Sequence, residues 1–302
     1  MSKKNFNGTM PALICPFDER GEVDVPKLVD FVKWLLPQVH GFYVNGSYGS
    51  GPMLRIDQFK LVAETVMKVC QGSDAAILMH CGTPSTDTTI ELAKHAASLG
   101  VDAVAALTPY YYLHGLTGPK LITDHFKRII DAVGNDVPVF LYNNPKYTNY
   151  CVTPEQIGEL ARYGLKGMKD SSTSIQLCYD VISATKGQDF TFLVGSQTML
   201  YPCLGAGGQG CVSGMSNLFP GHINAIFDAA AAGDNAKAVA LQQEANEVRH
   251  LTGSGIPIAF YHTALKYRWG IDLGLPRRPL QPLSPEKEAI VKETLDRYPN
   301  LK

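Results

Sequence analysis

A lysine ends a short apolar run in the segment LKGMKDSS, residues 165–172. Alternate residues of an extended strand face opposite sides, so Gly167 and Lys169 share one face and Met168 lies on the other. If that face is the interior of a barrel, Gly167 leaves room for the long side chain, and desolvation lowers the pKa of the amine. A neutral amine can form a Schiff base with a carbonyl substrate. The alternative is a structural lysine that pairs with a carboxylate such as Asp170.

Two further segments carry groups that a Schiff-base enzyme needs. Tyr142 ends the apolar run VPVFLYNNP, and its phenol can donate and accept a proton while it stays neutral at physiological pH. In the segment GSYGS, Gly46, Ser47, Tyr48 and the backbone amides can form a nest for a carboxylate. Each feature also has an ordinary structural interpretation: a tyrosine that caps the core through its hydroxyl, and a glycine-rich turn between a strand and a helix.

Eight short, β-rich apolar runs alternate with longer amphipathic segments along the chain. The runs are TMPALICPF, GFYVNG, AAILMHCG, VDAVAALTP, VPVFLYNNP, LKGMKDSS, FTFLVGS and GCVSGMS. The helical patterns include VPKLVDFVKWLLPQV, RIDQFKLVAETVMKVCQ, TDTTIELAKHAASLG and TPEQIGELARYG. Successive βα units of this number predict a parallel (β/α)8 TIM barrel over residues 1–233, with a doubly wound open sheet as the alternative. Residues 234–302 are predicted to form a C-terminal helical extension packed on the barrel.

In such a barrel, the functional groups follow the carboxyl ends of the strands. The expected ends are NGSYGS, TPYYY, LYNNP, MKDSS, GSQT and SGMSN. They bring one amine together with several phenols and hydroxyls and few carboxylates, which favours covalent amine chemistry. Besides the groups above, the predicted substrate-binding residues are Tyr147, Ser171, Gly195, Gln197 and Val212.

The composition favours a small-molecule partner. The formal charge is −1, from 27 basic and 28 acidic residues, so binding to nucleic acid or to a membrane surface is not expected. The seven cysteines include no C-x-x-C pair, which fits a reducing compartment. The start of the chain lacks the apolar stretch of a signal peptide, so a cytoplasmic location is predicted.

Two other kinds of site are not predicted. The histidines show no H-E-x-x-H or paired spacing, so we expect no metal, and His80 and His95 are interpreted as core or surface residues. Gly205, Gly207 and Gly210 match G-x-G-x-x-G, but they follow a helical pattern and precede a strand, the reverse of a dinucleotide site. No cofactor is expected.

The sequence resembles the N-acetylneuraminate lyase and dihydrodipicolinate synthase family of pyruvate-type class I aldolases nearly from end to end. The resemblance is carried by GSYGS, TPYYY, YNNP, GMKDSS and GGQGCVSGMSN, which are specific when taken together. It implies that Lys169 forms the imine, that Tyr142 shuttles protons, and that Ser47 and Tyr48 bind the 2-oxo acid carboxylate and relay a proton. It also implies that Tyr111 reaches into a neighbouring subunit's site and that the chain forms a homotetramer, a dimer of tight dimers. No cofactor or metal is implied.

Three departures from the family pattern concern the substrate. Tyr48 and Ser50 replace the usual Thr and Glu of the G-[ST]-T-G-E loop. Tyr147 stands where dihydrodipicolinate synthases usually have an arginine that holds the second substrate's carboxylate. Gln197 and Thr198 stand where sialic-acid lyases typically have an acidic pair.

These observations predict a lyase that reversibly cleaves or forms a C–C bond of a 2-oxo acid through a pyruvate imine. Its second partner is expected to be an aldehyde whose recognised end is uncharged, either sugar-derived or aromatic, although Lys146 lies beside Tyr147 and can replace the missing arginine. The alternatives are a 2-keto-3-deoxy sugar acid dehydratase or a dihydrodipicolinate synthase that uses the same imine. A non-catalytic sugar-acid sensor would not need both Lys169 and Tyr142.

Overall fold

Eight parallel strands form a barrel in the computed structural model, which describes residues 4–111, 118–251 and 258–302. The strands are β1 Gly8–Pro11, β2 Gly41–Val44, β3 Ala76–His80, β4 Ala103–Leu107, β5 Val139–Asn143, β6 Gly167–Asp170, β7 Thr191–Val194 and β8 Gly210–Ser213. Each pairs with its neighbour in sequence from β2 to β8, and β1 pairs with β8. Ala12 bridges Tyr43, and the backbone N–H of Leu13 donates to the Tyr43 carbonyl at 2.9 Å, which joins β1 to β2. The predicted barrel is confirmed and the open sheet is wrong.

Helices connect the strands and follow the last one. In the described residues they are α1 Val25–Leu35, α2 Ile56–Val69, α3 Thr86–Ser98, α4 Pro119–Val133, α5 Pro145–Thr148, α6 Pro154–Tyr163, α7 Ile175–Ala184, α8 Leu200–Gly205, α9 Pro220–Ala231, α10 Asn235–Leu251, α11 Ile258–Trp269 and α12 Pro285–Arg297. Local signals set their starts: the side chains of Asp24, Ser85 and Thr153 accept hydrogen bonds from the first turns of α1, α3 and α6. The first helical pattern continues after Leu35 only as a tight turn, Leu36–Gln38, because Pro37 has no N–H to donate.

Apolar side chains pack in two layers, one on each side of the barrel wall. The larger layer lies between strands and helices and contains Met168 of β6. The smaller one fills the interior and contains Tyr43, Phe140 and Tyr142. Burial on both faces explains why the strands read as nearly continuous apolar runs rather than as an alternation.

Gly167 makes room in the interior for a different side chain from the one expected. A Cβ atom at this position would lie 2.3 Å from Cε1 of Phe140, whose ring packs edge-on against Phe6 at 5.0 Å between centroids. The expectation that Gly167 accommodates Lys169 is therefore wrong, because the space beside the glycine holds an aromatic ring.

The segment after Gly233 packs against the barrel through specific hydrogen bonds. Gln242 of α10 donates from Nε2 to the backbone carbonyl of Gln197 at 2.9 Å, and Trp269 of α11 donates from Nε1 to the carbonyl of Leu218 at 2.8 Å. These contacts place α10 against the turn after β7 and α11 against the turn after β8. The division into residues 1–233 and 234–302 stays a prediction. Within the described ranges, no helix is both long and apolar enough to cross a membrane.

Candidate active site

A cavity of about 260 Å³ lies at the carboxyl ends of the strands and brings most of the predicted site residues together. Of the residues predicted to be catalytic, it contains Lys169, Tyr142 and Ser47. Of those predicted to bind substrate, it contains Tyr48, Tyr147, Ser171, Gly195, Gln197 and Val212. Gly46 and Tyr111 are not among its described lining residues.

Lys169 lies at the bottom of this cavity. The β5–β6 register sets it directly beside Tyr142, and its side chain is only 4% exposed. Its Nζ lies 3.4 Å from the centre of the Tyr142 ring and 4.6 Å from the centre of the Tyr43 ring. Burial lowers the pKa of the amine, and the neighbouring Tyr142 and Asp170 oppose this only in part. The neutral, nucleophilic form is therefore more available than in an exposed lysine.

The phenol of Tyr142 is poised for proton transfer. Burial raises its pKa, but the charge of Lys169 and the hydrogen bonds with Lys169 and nearby polar side chains outweigh that effect and hold the pKa below its usual value. Asn144 donates from Nδ2 to the Tyr142 oxygen at 2.8 Å. The amine and the phenol thus form a buried, coupled pair. The charged amine makes it easier to deprotonate the phenol, and the phenol makes it easier to protonate the amine.

Asp170 does not act as the ion-pair partner that the structural interpretation of Lys169 required. It follows Lys169 on β6 and therefore faces the opposite side of the wall. Its carboxylate accepts from Asn143 Nδ2 at 2.7 Å and from Ser172 Oγ at 2.6 Å. Among the described residues, no carboxylate forms an ion pair with Lys169. The Asn143–Asp170 bond instead ties the ends of β5 and β6 together, which fixes Lys169 beside Tyr142.

The GSYGS loop is a tight turn that delivers Ser47 and Tyr48 to the cavity. The N–H groups of Ser50 and Gly51 donate back to the carbonyls of Ser47 and Gly46 at 3.2 and 3.0 Å. Gly46 contributes space rather than a lining surface, because a Cβ there would lie 2.4 Å from the Tyr43 ring. The loop is therefore a glycine-rich turn and also lines the cavity through Ser47 and Tyr48. Its role as a nest for a carboxylate stays a prediction.

Tyr48 connects the loop to the C-terminal helices. Its ring occupies the space left by Gly214, where a Cβ would lie 2.5 Å from it, and it lies 5.7 Å from the ring of Tyr261 on α11. Burial raises the pKa of Tyr48 to about 12, against the opposing charge of Arg249. The phenol is therefore neutral at physiological pH, as a hydrogen-bond donor to a carboxylate must be. Its role in a proton relay stays a prediction.

Tyr43 and Arg249 are among the cavity-lining residues that sequence reasoning missed. Tyr43 is fully buried, and its hydroxyl has no hydrogen-bond partner among the described residues. The strand pattern could have found it, because Tyr43 precedes the GSYGS loop on β2 and its ring belongs to the inward face. Arg249 had no comparable signal, since it lies on α10 and not at the end of a strand.

Tyr111 lies outside the cavity and is 73% exposed. Its insertion into a neighbouring subunit stays a prediction, and the adjacent Tyr112 lies outside the described residues. His80 is a core residue, as one of the two interpretations expected: its Nδ1 lies 3.2 Å from the Asn45 carbonyl, and the N–H of Leu107 donates to Nε2 at 3.2 Å. Burial lowers the pKa of His80 to about 3, so its ring is neutral.

One residue of the dinucleotide-like pattern, Gly210, lies where β1 pairs with β8. A Cβ at Gly210 would lie 1.9 Å from the carbonyl oxygen of Gly8, so the glycine permits β1 and β8 to pair. Over the described ranges, no group of three or more His, Cys, Asp or Glu side chains could hold a metal ion.

Comparison with known proteins decides the family. Residues 5–298 match the model of the dihydrodipicolinate synthetase family. The chain belongs to this family. It is 32% identical over 298 residues to a 4-hydroxy-tetrahydrodipicolinate synthase of Methanosphaerula palustris, and the alignment covers 97% of this chain and 99% of the relative.

Solved structures agree with that assignment. A sialic acid aldolase of Ruminococcus gnavus, in a form with its catalytic lysine mutated, matches with a TM-score of 0.90 and 28% identity over 96% of this chain and 95% of that one. YagE, a prophage protein of the same family from E. coli K12 in complex with pyruvate, matches with a TM-score of 0.90 and 26% identity over 97% and 98% of the two chains. As a family member, the chain is a lyase of the class I aldolase type, which acts through a lysine Schiff base. The family and enzyme class predicted from the sequence are confirmed.

Proposed function

We propose that this enzyme reversibly cleaves or forms a C–C bond of a 2-oxo acid through an imine between pyruvate and Lys169. The observation that carries the proposal is the buried amine of Lys169, held against Tyr142 at the bottom of a cavity that opens at the strand ends. The R. gnavus aldolase has a catalytic lysine and YagE binds pyruvate, which supports the same chemistry here.

The geometry supports a sequence of steps in which Tyr142 handles each proton. The neutral Nζ of Lys169 attacks C2 of the 2-oxo acid, and Tyr142 protonates the carbonyl oxygen to give a carbinolamine. The Tyr142 phenolate then takes a proton from the attached nitrogen and passes it to the carbinolamine oxygen, which leaves as water while the C=N bond forms. In the cleavage direction, Tyr142 takes the proton of the C4 hydroxyl as the C3–C4 bond breaks. The aldehyde departs, the electron pair remains as an enamine, and protonation at C3 followed by hydrolysis returns pyruvate.

The remaining predicted residues suit the binding of pyruvate. Ser47 and Tyr48 provide neutral hydroxyl donors for its carboxylate, and Val212 provides an apolar wall. Ser171 and Gly195 lie in contact range of each other, since a Cβ at Gly195 would meet Ser171 Oγ at 2.0 Å. The glycine therefore leaves room in the cavity for the Ser171 hydroxyl.

The cavity size favours a short aldehyde. Its volume of about 260 Å³ is slightly below the usual range of small-molecule sites, ~300–1,000 Å³. Pyruvate and an aldehyde of a few carbons fit this space better than a long sugar chain. Release of pyruvate, rather than loss of water from the substrate, separates the proposed lyase from a dehydratase that starts with the same imine.

The proposed assembly is a homotetramer in which Tyr111 completes a neighbour's site. A large aromatic side chain that is 73% exposed at the end of β4 supports an interface there. Sedimentation at decreasing protein concentration, together with the specific activity of each sample, tests the proposal. Loss of activity on dissociation, with the barrel still folded, is the expected result, whereas fully active monomers would contradict it.

Trapping with pyruvate and sodium borohydride tests the central step. Reduction converts the imine into a stable secondary amine, so mass spectrometry of peptides should find the pyruvate adduct on Lys169. Lys169→Ala should abolish both trapping and turnover. Lys166→Ala is the matched control, because Lys166 forms only an exposed ion pair with Asp189 at 3.2 Å and should be dispensable. An adduct on another lysine, or none, would overturn the proposal.

A further inference from the structure

Arg249 approaches the cavity from a part of the chain that supplies no strand. It lies near the end of α10 and is one of the lining residues. Arg249 and Tyr48 line the same cavity, and the charge of Arg249 acts to lower the pKa of the Tyr48 and Tyr261 phenols against the dominant effect of burial. Arg249 therefore sits at the side of the cavity where the GSYGS loop meets the C-terminal helices.

The charges that line the cavity are unbalanced. Lys146, Lys169 and Arg249 are cationic residues, and none of the lining residues that the structure describes is an Asp or Glu. The protonated imine on Lys169 keeps one positive charge, which the pyruvate carboxylate offsets. Two cationic side chains, Lys146 on α5 and Arg249 on α10, then remain at the mouth, where the second substrate must enter. A cavity walled in this way attracts an anion and disfavours a neutral ligand of the same shape.

We propose that Arg249 is the residue that selects the second substrate, by binding a carboxylate or phosphate at the end of the aldehyde remote from its carbonyl. The inference rests on the function proposed above and names the substrate class. A guanidinium matches either anion with two parallel N–H donors, and the phenol of Tyr147, which also lines the cavity, adds a neutral donor. The expectation of an uncharged aldehyde took account of the residue at position 147 but not of an arginine from α10.

The experiment compares matched aldehydes in condensation with pyruvate. The carboxylate pair is 4-oxobutanoate and its methyl ester, and the phosphate pair is glyceraldehyde 3-phosphate and glyceraldehyde. Wild-type enzyme should prefer the charged member of at least one pair, and the preferred pair identifies the anion. Arg249→Gln should lower kcat/KM for that charged aldehyde by about tenfold or more, through KM above all, and change the neutral partner by less than about twofold. Arg249→Lys should retain part of the preference.

Lys237→Gln is the matched control. Lys237 lies on the same helix, is exposed and does not line the cavity, so the substitution removes the same charge without touching the site. Borohydride trapping with pyruvate alone separates the two proposals: an intact Lys169 adduct in Arg249→Gln shows that the enzyme is folded and forms the imine. With trapping intact, an equal loss for charged and neutral aldehydes, no loss for either, or no wild-type preference for a charged aldehyde would overturn the role of Arg249. Loss of trapping in the wild type would overturn the proposed function itself.

Discussion

The two ends of the cavity are built from different kinds of structure. At the inner end, Tyr43, Tyr142 and Lys169 lie on neighbouring or nearby strands, are buried, and contact each other through ring faces. At the mouth, Tyr147 is 36% exposed on the short helix α5, and Arg249 comes from α10. The inner end is fixed by strand register, whereas the mouth is assembled from segments far apart in the sequence.

This difference suggests a division of work. Chemistry that needs an amine and a phenol at fixed separation benefits from paired strands, because a shift of one residue would turn the side chains to the other face. Selection of a second substrate requires only that polar groups reach the mouth, and loops and helices can supply these in many combinations. Substitutions at the inner end should therefore affect the reaction with every substrate, and substitutions at the mouth should affect some substrates only.

The largest expected effect at the inner end comes from Tyr142→Phe. Loss of the phenol removes the group that carries protons to and from the adduct, so turnover should fall by about 10²-fold or more for charged and neutral aldehydes alike. Imine formation should continue at a reduced rate, because the amine is retained. Steady-state kinetics with both classes of aldehyde measures the first effect and borohydride trapping the second.

Tyr163→Phe is the matched control, since its hydroxyl donates to Asp131 at an exposed position on α6. It should have wild-type kinetics. If Tyr142→Phe impaired one class of aldehyde and spared the other, the phenol would belong to substrate selection, and the proposed division between the two ends would fail.

Rigidity of the inner end is tested by Gly167→Ala. The new Cβ would lie 2.3 Å from Phe140 Cε1, and Phe140 cannot move freely because it packs against Phe6. The free energy of unfolding should fall by about 1–3 kcal/mol, as for other overpacked cores. Urea denaturation measures it. Gly205→Ala at the end of α8 is the control, because no atom lies within 4 Å of its added Cβ and the change should be neutral or slightly stabilising. Equal stability of the two variants would show that the interior yields more easily than the structure indicates.

The sequence predicted the inner end better than the mouth for a physical reason. Strands in a barrel alternate with period two and present their last residues at one rim, so Lys169 and Tyr142 could be placed on neighbouring strand ends from the chain alone. What occupies the space between them depends on packing across the barrel, which a linear pattern does not report. This is why Gly167 was assigned to the wrong neighbour and why Tyr43 was missed.

At the mouth, contacts between segments remote in sequence decide the arrangement. Arg249 reaches the cavity because α10 is anchored on the turn after β7, where Gln242 bonds the carbonyl of Gln197. Tyr48 was expected at the cavity and is there, but its contact with Tyr261 depends on the same docking. No periodicity in residues 234–302 specifies where that helix rests on the barrel.

The pH dependence of imine formation tests the coupling of Lys169 and Tyr142 through a smaller effect, whose direction is predicted. Only the neutral amine attacks, so the rate of trapping by pyruvate should rise with pH through the pKa of Lys169, with a midpoint below the usual lysine value of about 10.4. Tyr142 raises the pKa of Lys169, by its charge and its hydrogen bond, against the dominant effect of burial. Tyr142→Phe should therefore move the midpoint to lower pH. A move to higher pH would show that the phenol does not stabilise the ammonium, and that the two groups are not coupled as described.

The smallest expected effect concerns the hydroxyl of Tyr43. It is buried without a partner among the described residues, and a buried hydroxyl without a hydrogen bond costs about 1–3 kcal/mol relative to a satisfied one. Tyr43→Phe keeps the ring that faces Lys169 Nζ at 4.6 Å and removes only that group. The void left by the lost oxygen offsets part of that gain, so the free energy of unfolding should stay unchanged or rise by up to about 1 kcal/mol, with kinetics near those of the wild type.

Tyr150→Phe is the matched comparison, for which the free energy of unfolding should change in the opposite direction. Its hydroxyl donates to Gln156 Oε1 at 2.8 Å, so its removal should lower the free energy of unfolding by about 0.5–1.5 kcal/mol. If Tyr43→Phe instead raised KM for pyruvate several-fold, the hydroxyl would be a donor that only the bound 2-oxo acid satisfies. Tyr43 would then be a substrate-binding residue of the inner end, and a bond to the substrate would explain why its hydroxyl has no partner among the described residues.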